Sequence, residues 1–144
     1  MQTPTVKPHS EEFLQHQLQE VITLLEKQEL EKNLVHRERA TNELVETVLH
    51  KQQQTRLQEK FAQLHPADIA IILESLPLNQ RLIAWEAIKS EHEGQVLLEV
   101  SDVVRQTLIS SMEAEELADV ASRLNTDEIA DIAAAVSYTH LRAH

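Results

Sequence analysis

A twelve-residue period in the second half of the sequence constrains the fold more than any other feature. From His65 to Val136 the chain divides into six consecutive units of twelve residues. The eighth, ninth and twelfth positions of every unit are apolar, and positions spaced i, i+1 and i+4 share one face of a helix. The repeat therefore predicts six short helices of about two turns each, joined by tight connections. In order, these positions hold Ile72, Ala84, Val96, Leu108, Val120 and Ile132; Leu73, Trp85, Leu97, Ile109, Ala121 and Ala133; Leu76, Ile88, Val100, Met112, Leu124 and Val136.

The composition and the unit starts support the same interpretation. One glycine, four prolines and 3% aromatic residues favour helices over strands and hairpins, with a core of aliphatic side chains. Pro66 suits the first turn of a helix, and Asn125 with Glu128 has the spacing of a capping box, as does Ser90 with Glu93. A helix this short cannot bury its apolar stripe alone, so successive units must stack. We predict an all-α fold in which the six units form a superhelix.

The chain before the repeat is predicted to be a helical arm. Residues 1–9 resemble a flexible leader, and residues 10–63 carry apolar stripes at helical spacing that indicate two or three helices. Glu29-Leu30 and Leu34-Val35-His36-Arg37 recur fourteen residues later, as Glu43-Leu44 and Val48-Leu49-His50-Lys51. His36 and His50 are predicted to end their helices, where an imidazole can satisfy free carbonyls. Residues 137–144 abandon the repeat, so they are either a foreign scar or a natural frayed tail. The predicted divisions are thus 1–9, 10–63, 64–136 and 137–144.

Charge and composition exclude several classes of function. The chain has 13 basic and 24 acidic residues, a net charge of −11, and no cysteine. The negative charge argues against a nucleic-acid surface, which needs a basic face. The absence of cysteine excludes disulfides, zinc knuckles and a cysteine nucleophile. The longest apolar runs have five residues, far short of the roughly 20 needed to span a bilayer, and the N-terminus has no secretory signal. Residues 61–144 contain 14 of the acidic residues, so a cationic partner is expected there.

No catalytic or cofactor-binding constellation is predicted, and the remaining candidates are carboxylates. The eight histidines lack paired ligand spacing, and Trp85 occupies a core position. Asp127 and Asp131 stand four residues apart, so they share a helix face, and such a pair suits Mg²⁺, which takes oxygen ligands and keeps several waters. The alternative is that Asp127 and Glu128 simply complement a helix dipole.

The repeat resembles the N-terminal intracellular domain of MgtE-type magnesium transporters. The resemblance starts at Leu64-His65-Pro66-Ala67-Asp68-Ile69-Ala70 and continues through Leu73-Glu74-Ser75-Leu76-Pro77. Two later segments, Glu115-Glu116-Leu117-Ala118-Asp119 and Asp127-Glu128-Ile129-Ala130-Asp131, are similar to that domain's later helices. The arm, with Leu34-Val35-His36-Arg37 and Val48-Leu49-His50-Lys51, is similar to the leader of proteobacterial members.

The resemblance implies a right-handed superhelix and a regulatory role on the cytoplasmic side of the bacterial inner membrane. In this family the domain precedes a CBS domain and a transmembrane domain, and the full transporter is a homodimer. Mg²⁺ neutralises acidic faces between the N and CBS domains and favours the closed state. The metal residues carried over are Asp127 and Asp131, whereas a further acidic ligand corresponds to Gln95, so that site is weakened, lost or rebuilt from Glu91, Glu93 or Glu99.

The resemblance leads to one expected function, and a second resemblance leads to an alternative. We expect a non-enzymatic magnesium-sensing domain that binds Mg²⁺ weakly by itself, because the CBS-side ligands are missing from this chain. The alternative is a protein-interaction scaffold like the flagellar motor switch protein FliG, which has a similar His-Pro-x-x-Ile-Ala stretch, present here from His65 to Ala70.

Overall fold

The computed structural model describes residues 11–37, 43–88 and 90–142, and it describes residues 90, 91 and 135–142 by their backbone only. The described residues form eight α-helices and no strand, which confirms the all-α prediction. The helices are α1 (Glu11–Arg37), α2 (Glu43–Ala62), α3 (Pro66–Ser75), α4 (Leu78–Glu86), α5 (Ser90–Glu99), α6 (Asp102–Ser110), α7 (Ala114–Ala121) and α8 (Thr126–Arg142).

The twelve-residue period fixes where the repeat helices begin. Each of α3 to α8 starts at the second position of its unit. In the five units other than the third, the carbonyl at the first position then accepts a hydrogen bond from the backbone N–H at the fifth, as in the 3.0 Å bond from Ile69 to His65 and the 2.9 Å bond from Ile129 to Asn125. The unit boundary is therefore a helix-capping boundary, and the twelve-residue phase is confirmed at the level of hydrogen bonds.

The three apolar positions form the core, except at the end of the stack. All six eighth positions are buried, and the ninth and twelfth positions are buried through unit four. In unit five Ala121 and Leu124 are only half-buried, and in unit six Ala133 is exposed. The prediction of a core through all six units is wrong there, because no helix within the described ranges covers this end. A groove of about 320 Å³ lies between α7 and α8 instead.

Alternate helices pack against each other along the repeat. The extensive contacts are those of α3 with α5, α5 with α7, and α6 with α8. Gly94 permits the close approach of α5 to α7 and to the connection after it, because a Cβ atom there would lie 3.3 Å from Val120 Cγ1 on α7 and 2.9 Å from Leu124 Cδ2. The short helices of the repeat therefore form a layered stack. That this stack is a right-handed superhelix stays a prediction.

Two arginines close the ends of preceding helices. Arg81 donates from Nε to the carbonyl of Leu73 at 2.8 Å and from a terminal nitrogen to the carbonyl of Leu76 at 3.1 Å. Arg105, two repeat units further along the chain, makes the matching bonds to Leu97 at 2.7 Å and Val100 at 3.3 Å. The last carbonyls of a helix lack intrahelical donors, so each guanidinium satisfies groups that the tight connection leaves free.

The arm is a pair of antiparallel helices that shares its core with the repeat. Glu20 pairs with Lys60 near one end, and His36 Nδ1 lies 3.4 Å from Glu46 Oε1 near the other. Helix α1 also packs on α3, and apolar residues of the arm belong to the same buried cluster as the repeat residues. Those arm residues are Val21, Leu25, Leu57 and Phe61.

One sequence prediction about helix ends is wrong. His36 lies in the last turn of α1 as expected, but His50 lies inside α2, because no helix-breaking residue interrupts the chain from Glu43 to Ala62. At the other end, α8 continues past Val136 to Arg142, so the change in sequence pattern does not end the helix. The predicted leader, residues 1–9, and residues 143–144 lie outside the described residues.

Candidate functional site

An acidic surface is formed where α5, α7 and α8 meet. α5 packs against both α7 and α8, which brings carboxylates from three units of the repeat to neighbouring positions. The residues that define this acidic surface are Glu93, Gln95, Glu116, Asp119, Arg123, Asp127, Glu128 and Asp131. It contains the predicted metal residues and one cation, Arg123, whose guanidinium nitrogen lies 3.5 Å from Asp119 Oδ2.

Asp127 and Asp131 lie on the first two turns of α8, and both are exposed to solvent. Their four-residue spacing on a continuous helix places both carboxylates on the same side of α8. Asp127 is also in the first turn of α8, where its negative charge complements the helix dipole. Its position therefore fits the alternative role, stabilisation of the helix, as well as metal binding. The predicted pair is therefore accessible and adjacent in the helix.

Glu128 has a structural role that links α5 to α8. Its backbone N–H donates to Asn125 Oδ1 at 2.9 Å, and its Oε1 accepts from the N–H of Asn125 at 2.9 Å, which confirms the predicted capping box. Its other oxygen accepts a hydrogen bond from Gln95 Nε2 at 3.3 Å. Gln95 thus contributes a neutral amide to the acidic surface and joins two of its helices.

Glu93 is the most perturbed group of the acidic surface. It is a half-buried side chain on α5 whose pKa is raised to about 7, and burial is the largest cause. The carboxylates of Glu116 and Asp119 also contribute to this rise in pKa, whereas Arg123 opposes it. The sequence singled out Glu93 only as a cap or a substitute ligand, because its environment is supplied by residues more than twenty positions away.

The acidic surface offers part of a magnesium site. Among the residues whose side chains the structure describes, no three His, Asp or Glu groups are arranged to hold a metal ion. Mg²⁺ is commonly held by one or two carboxylates with several waters, so the exposed pair of Asp127 and Asp131 fits such an ion in its donor chemistry. Of the three substitutes proposed for the position of Gln95, Glu93 faces α7, Glu99 is exposed, and the side chain of Glu91 lies outside the described residues.

Among the described residues, no helix is both long enough and apolar enough to cross a lipid bilayer.

Comparison with known protein families matches the repeat rather than the arm. The family model described as the MgtE intracellular N domain matches residues 64–141, more than half of the chain. Neither the curated proteins nor the solved structures give a significant match. The matched range begins one residue before the first repeat unit, and it favours the transporter resemblance over the flagellar one. The chain therefore belongs to the family of MgtE intracellular N domains, the N-terminal intracellular part of a magnesium transporter.

Proposed function

We propose that this chain is a regulatory domain that senses intracellular Mg²⁺ and favours the closed state of its transporter. The observation that carries the proposal is the exposed pair of Asp127 and Asp131, one turn apart on α8 within the range that the family model matches. The family is one of transporter regulatory domains and not a known enzyme family.

The proposed mechanism is a population shift driven by charge neutralisation. Asp127 and Asp131 would hold the ion by two carboxylates, and the remaining ligands would come from water and from a CBS domain of the same transporter. The ion supplies positive charge between two acidic surfaces. It favours the compact arrangement only to the extent that it binds that arrangement more tightly than the open one.

The partners follow from the same proposal. The CBS and transmembrane domains of the transporter would supply the other acidic face and the pore, the assembled transporter would be a homodimer, and the domain would lie on the cytoplasmic side of the bacterial inner membrane. Residues 61–144 contain 14 acidic and five basic residues, so an approaching acidic face is repelled unless a cation lies between the two.

Magnesium titration followed by amide NMR tests the proposal. We expect weak, saturable shifts at Asp127 and Asp131 in the millimolar range, and we expect the double variant Asp127→Asn/Asp131→Asn to lose them. Glu26→Gln, which removes an exposed carboxylate on α1, is the matched control and should keep them. Shifts that sodium chloride of equal ionic strength reproduces, or unchanged signals at both aspartates, would contradict the proposal.

A further inference from the structure

A cavity of about 330 Å³ lies between α1, α2 and α4. Its volume lies within the range of small-molecule sites, about 300–1,000 Å³. Two of its three walls belong to the arm, which lies outside the residues matched by the family model. The cavity is therefore separate from the acidic surface and from the proposed magnesium response.

The floor of the cavity is apolar. Leu25 from α1, Leu57 from α2 and Ala87 at the end of α4 line it, and all three residues belong to the buried core. Ile83 lies at the side and is 43% exposed. A bound molecule must therefore present an apolar body to this surface, because a fully hydrated group would lose hydrogen bonds there without replacement.

Hydrogen bonds between the walls hold the cavity open. Gln28 Nε2 donates to the carbonyl of Gln53 at 3.0 Å, and Gln53 Nε2 donates to the carbonyl of Gln28 at the same distance. Gln54 Nε2 donates to the carbonyl of Glu86 at 3.2 Å, which joins α2 to the end of α4. These bonds cross-link the three helices, so a ligand would not have to create the space that it occupies.

The charged groups that line the cavity are predominantly acidic. Three glutamates, Glu29, Glu46 and Glu86, face one cation, Lys32. Two imidazoles complete the polar lining: His50, and His36, whose Nδ1 lies 3.4 Å from Glu46 Oε1. An anionic ligand would meet three carboxylates, whereas a cation with N–H donors would find acceptors on several sides.

We propose that this cavity binds a small organic cation, a molecule with an apolar body and a protonated amine. The apolar body contacts Leu25, Leu57 and Ala87, and the ammonium group is stabilised by the glutamates at the rim. A bare metal ion does not suit the apolar floor, and the described residues contain no group of three His, Asp or Glu side chains arranged to bind one.

Three probes of the same ring and different charge test the proposal on the full chain. Cyclohexylmethylamine, cyclohexylmethanol and cyclohexanecarboxylate are titrated by amide NMR at constant ionic strength. We expect the amine to produce saturable shifts at the lining residues, the alcohol to bind more weakly, and the carboxylate to bind least. Equal binding of the amine and the alcohol, no saturable shift with the amine, or shifts confined to α7 and α8 would overturn the proposal.

Two pairs of variants locate the site. Ile83→Trp places a large side chain at the cavity and should abolish amine binding, whereas Ile71→Trp, on α3 and 46% exposed, should leave it unchanged. Glu29→Gln removes one rim charge and should weaken binding by up to about fivefold, whereas Glu26→Gln on the same helix should not. Amine binding that survives Ile83→Trp would show that the cavity is not the site.

Discussion

Asn125 and Glu128 exchange two hydrogen bonds of 2.9 Å at the start of α8, on either side of Asp127, the first aspartate of the proposed metal pair. This exchange satisfies two backbone donors that a helix start otherwise leaves free. At the scale of single residues, the orientation of Asp127 therefore depends on a cap that has no direct part in ion binding.

Replacing Asn125 tests this dependence. Asn125→Ala should reduce the free energy of unfolding by about 1 kcal/mol, because the N–H of Glu128 loses its acceptor. Asn125→Asp should restore most of the loss, since aspartate is an equally good cap. Urea denaturation of the three proteins measures both effects. If the alanine and aspartate variants are equally destabilised, the cap is not the cause.

Glu93 should make stability depend on pH near neutrality. Its pKa in the folded chain is raised from 4.5 to about 7, so between these values the folded state binds more protons than the unfolded state. This contribution to stability is fully present below about pH 4.5 and is lost as the pH rises through about 7. The cause is burial first and the facing carboxylates of Glu116 and Asp119 second, partly offset by Arg123.

Glu93→Gln isolates the contribution of Glu93 from that of the other carboxylates. The variant should be more stable than the original chain at pH 8 and similar to it at about pH 5, because glutamine stays neutral in both conditions. Melting temperatures across this range measure the difference, with the exposed Glu99→Gln as the control. A difference between the original chain and Glu93→Gln that does not vary with pH would contradict this prediction.

At the scale of whole helices, the guanidinium groups of Arg81 and Arg105 hold the tight connections together. Each arginine reaches back eight residues, to Leu73 and Leu97 respectively, across the turn that joins its own helix to the preceding one. The same bond occurs at the same place in units two and four, whereas unit six has Ile129 at that position. Over the first four units the structural period is therefore two helices, twice the length of one repeat unit.

Arg105→Met should reduce the free energy of unfolding by about 2 kcal/mol, because carbonyls that a charged donor satisfies would lose that partner in a half-buried place. Arg123→Met is the control and should cost about 0.5 kcal/mol, since the Arg123 side chain is 45% exposed and makes one surface ion pair. Chemical denaturation of both variants provides the comparison. Equal losses would mean that carbonyl capping is not what Arg105 contributes.

The sequence predicts the helix starts of the repeat but not these cross-turn bonds. Starts follow from local capping and from apolar periodicity, which a single sequence displays. The arginine bonds depend on how the connection folds back, although one signal was available: arginine stands at the fifth position of both the second and the fourth unit. The buried pair of Gln28 and Gln53 had no comparable signal, because glutamine in an arm helix ordinarily faces solvent.

At the scale of the whole molecule, the arm and the repeat share one apolar core. Val21 and Leu25 from α1 join the same cluster as Ile69 and Leu73 from α3. The sequence divided the chain at residue 63, where the apolar pattern changes from one period to another. Such a change marks a new kind of element, but it does not reveal whether the two sides pack together, which only the three-dimensional arrangement shows.

Removal of the arm should therefore weaken the repeat. The complete chain should unfold in one cooperative transition, and residues 64–144 alone should be less stable by at least about 3 kcal/mol. The expected loss is large because burial of a single large apolar side chain contributes about 1.5–3 kcal/mol. Urea denaturation followed by circular dichroism measures both quantities. Two separate transitions in the complete chain, or equal stability of the two proteins, would show that the arm is independent.

The pairing of alternate helices also restricts which changes in length this kind of chain tolerates during evolution. Loss of the third unit alone would move every later helix into the neighbouring layer and would bring Arg105 to the kind of turn that has no such arginine. Loss or duplication of two consecutive units keeps each later helix in an equivalent layer. Homologous domains of different length are accordingly expected to differ by helical hairpins, not by single helices.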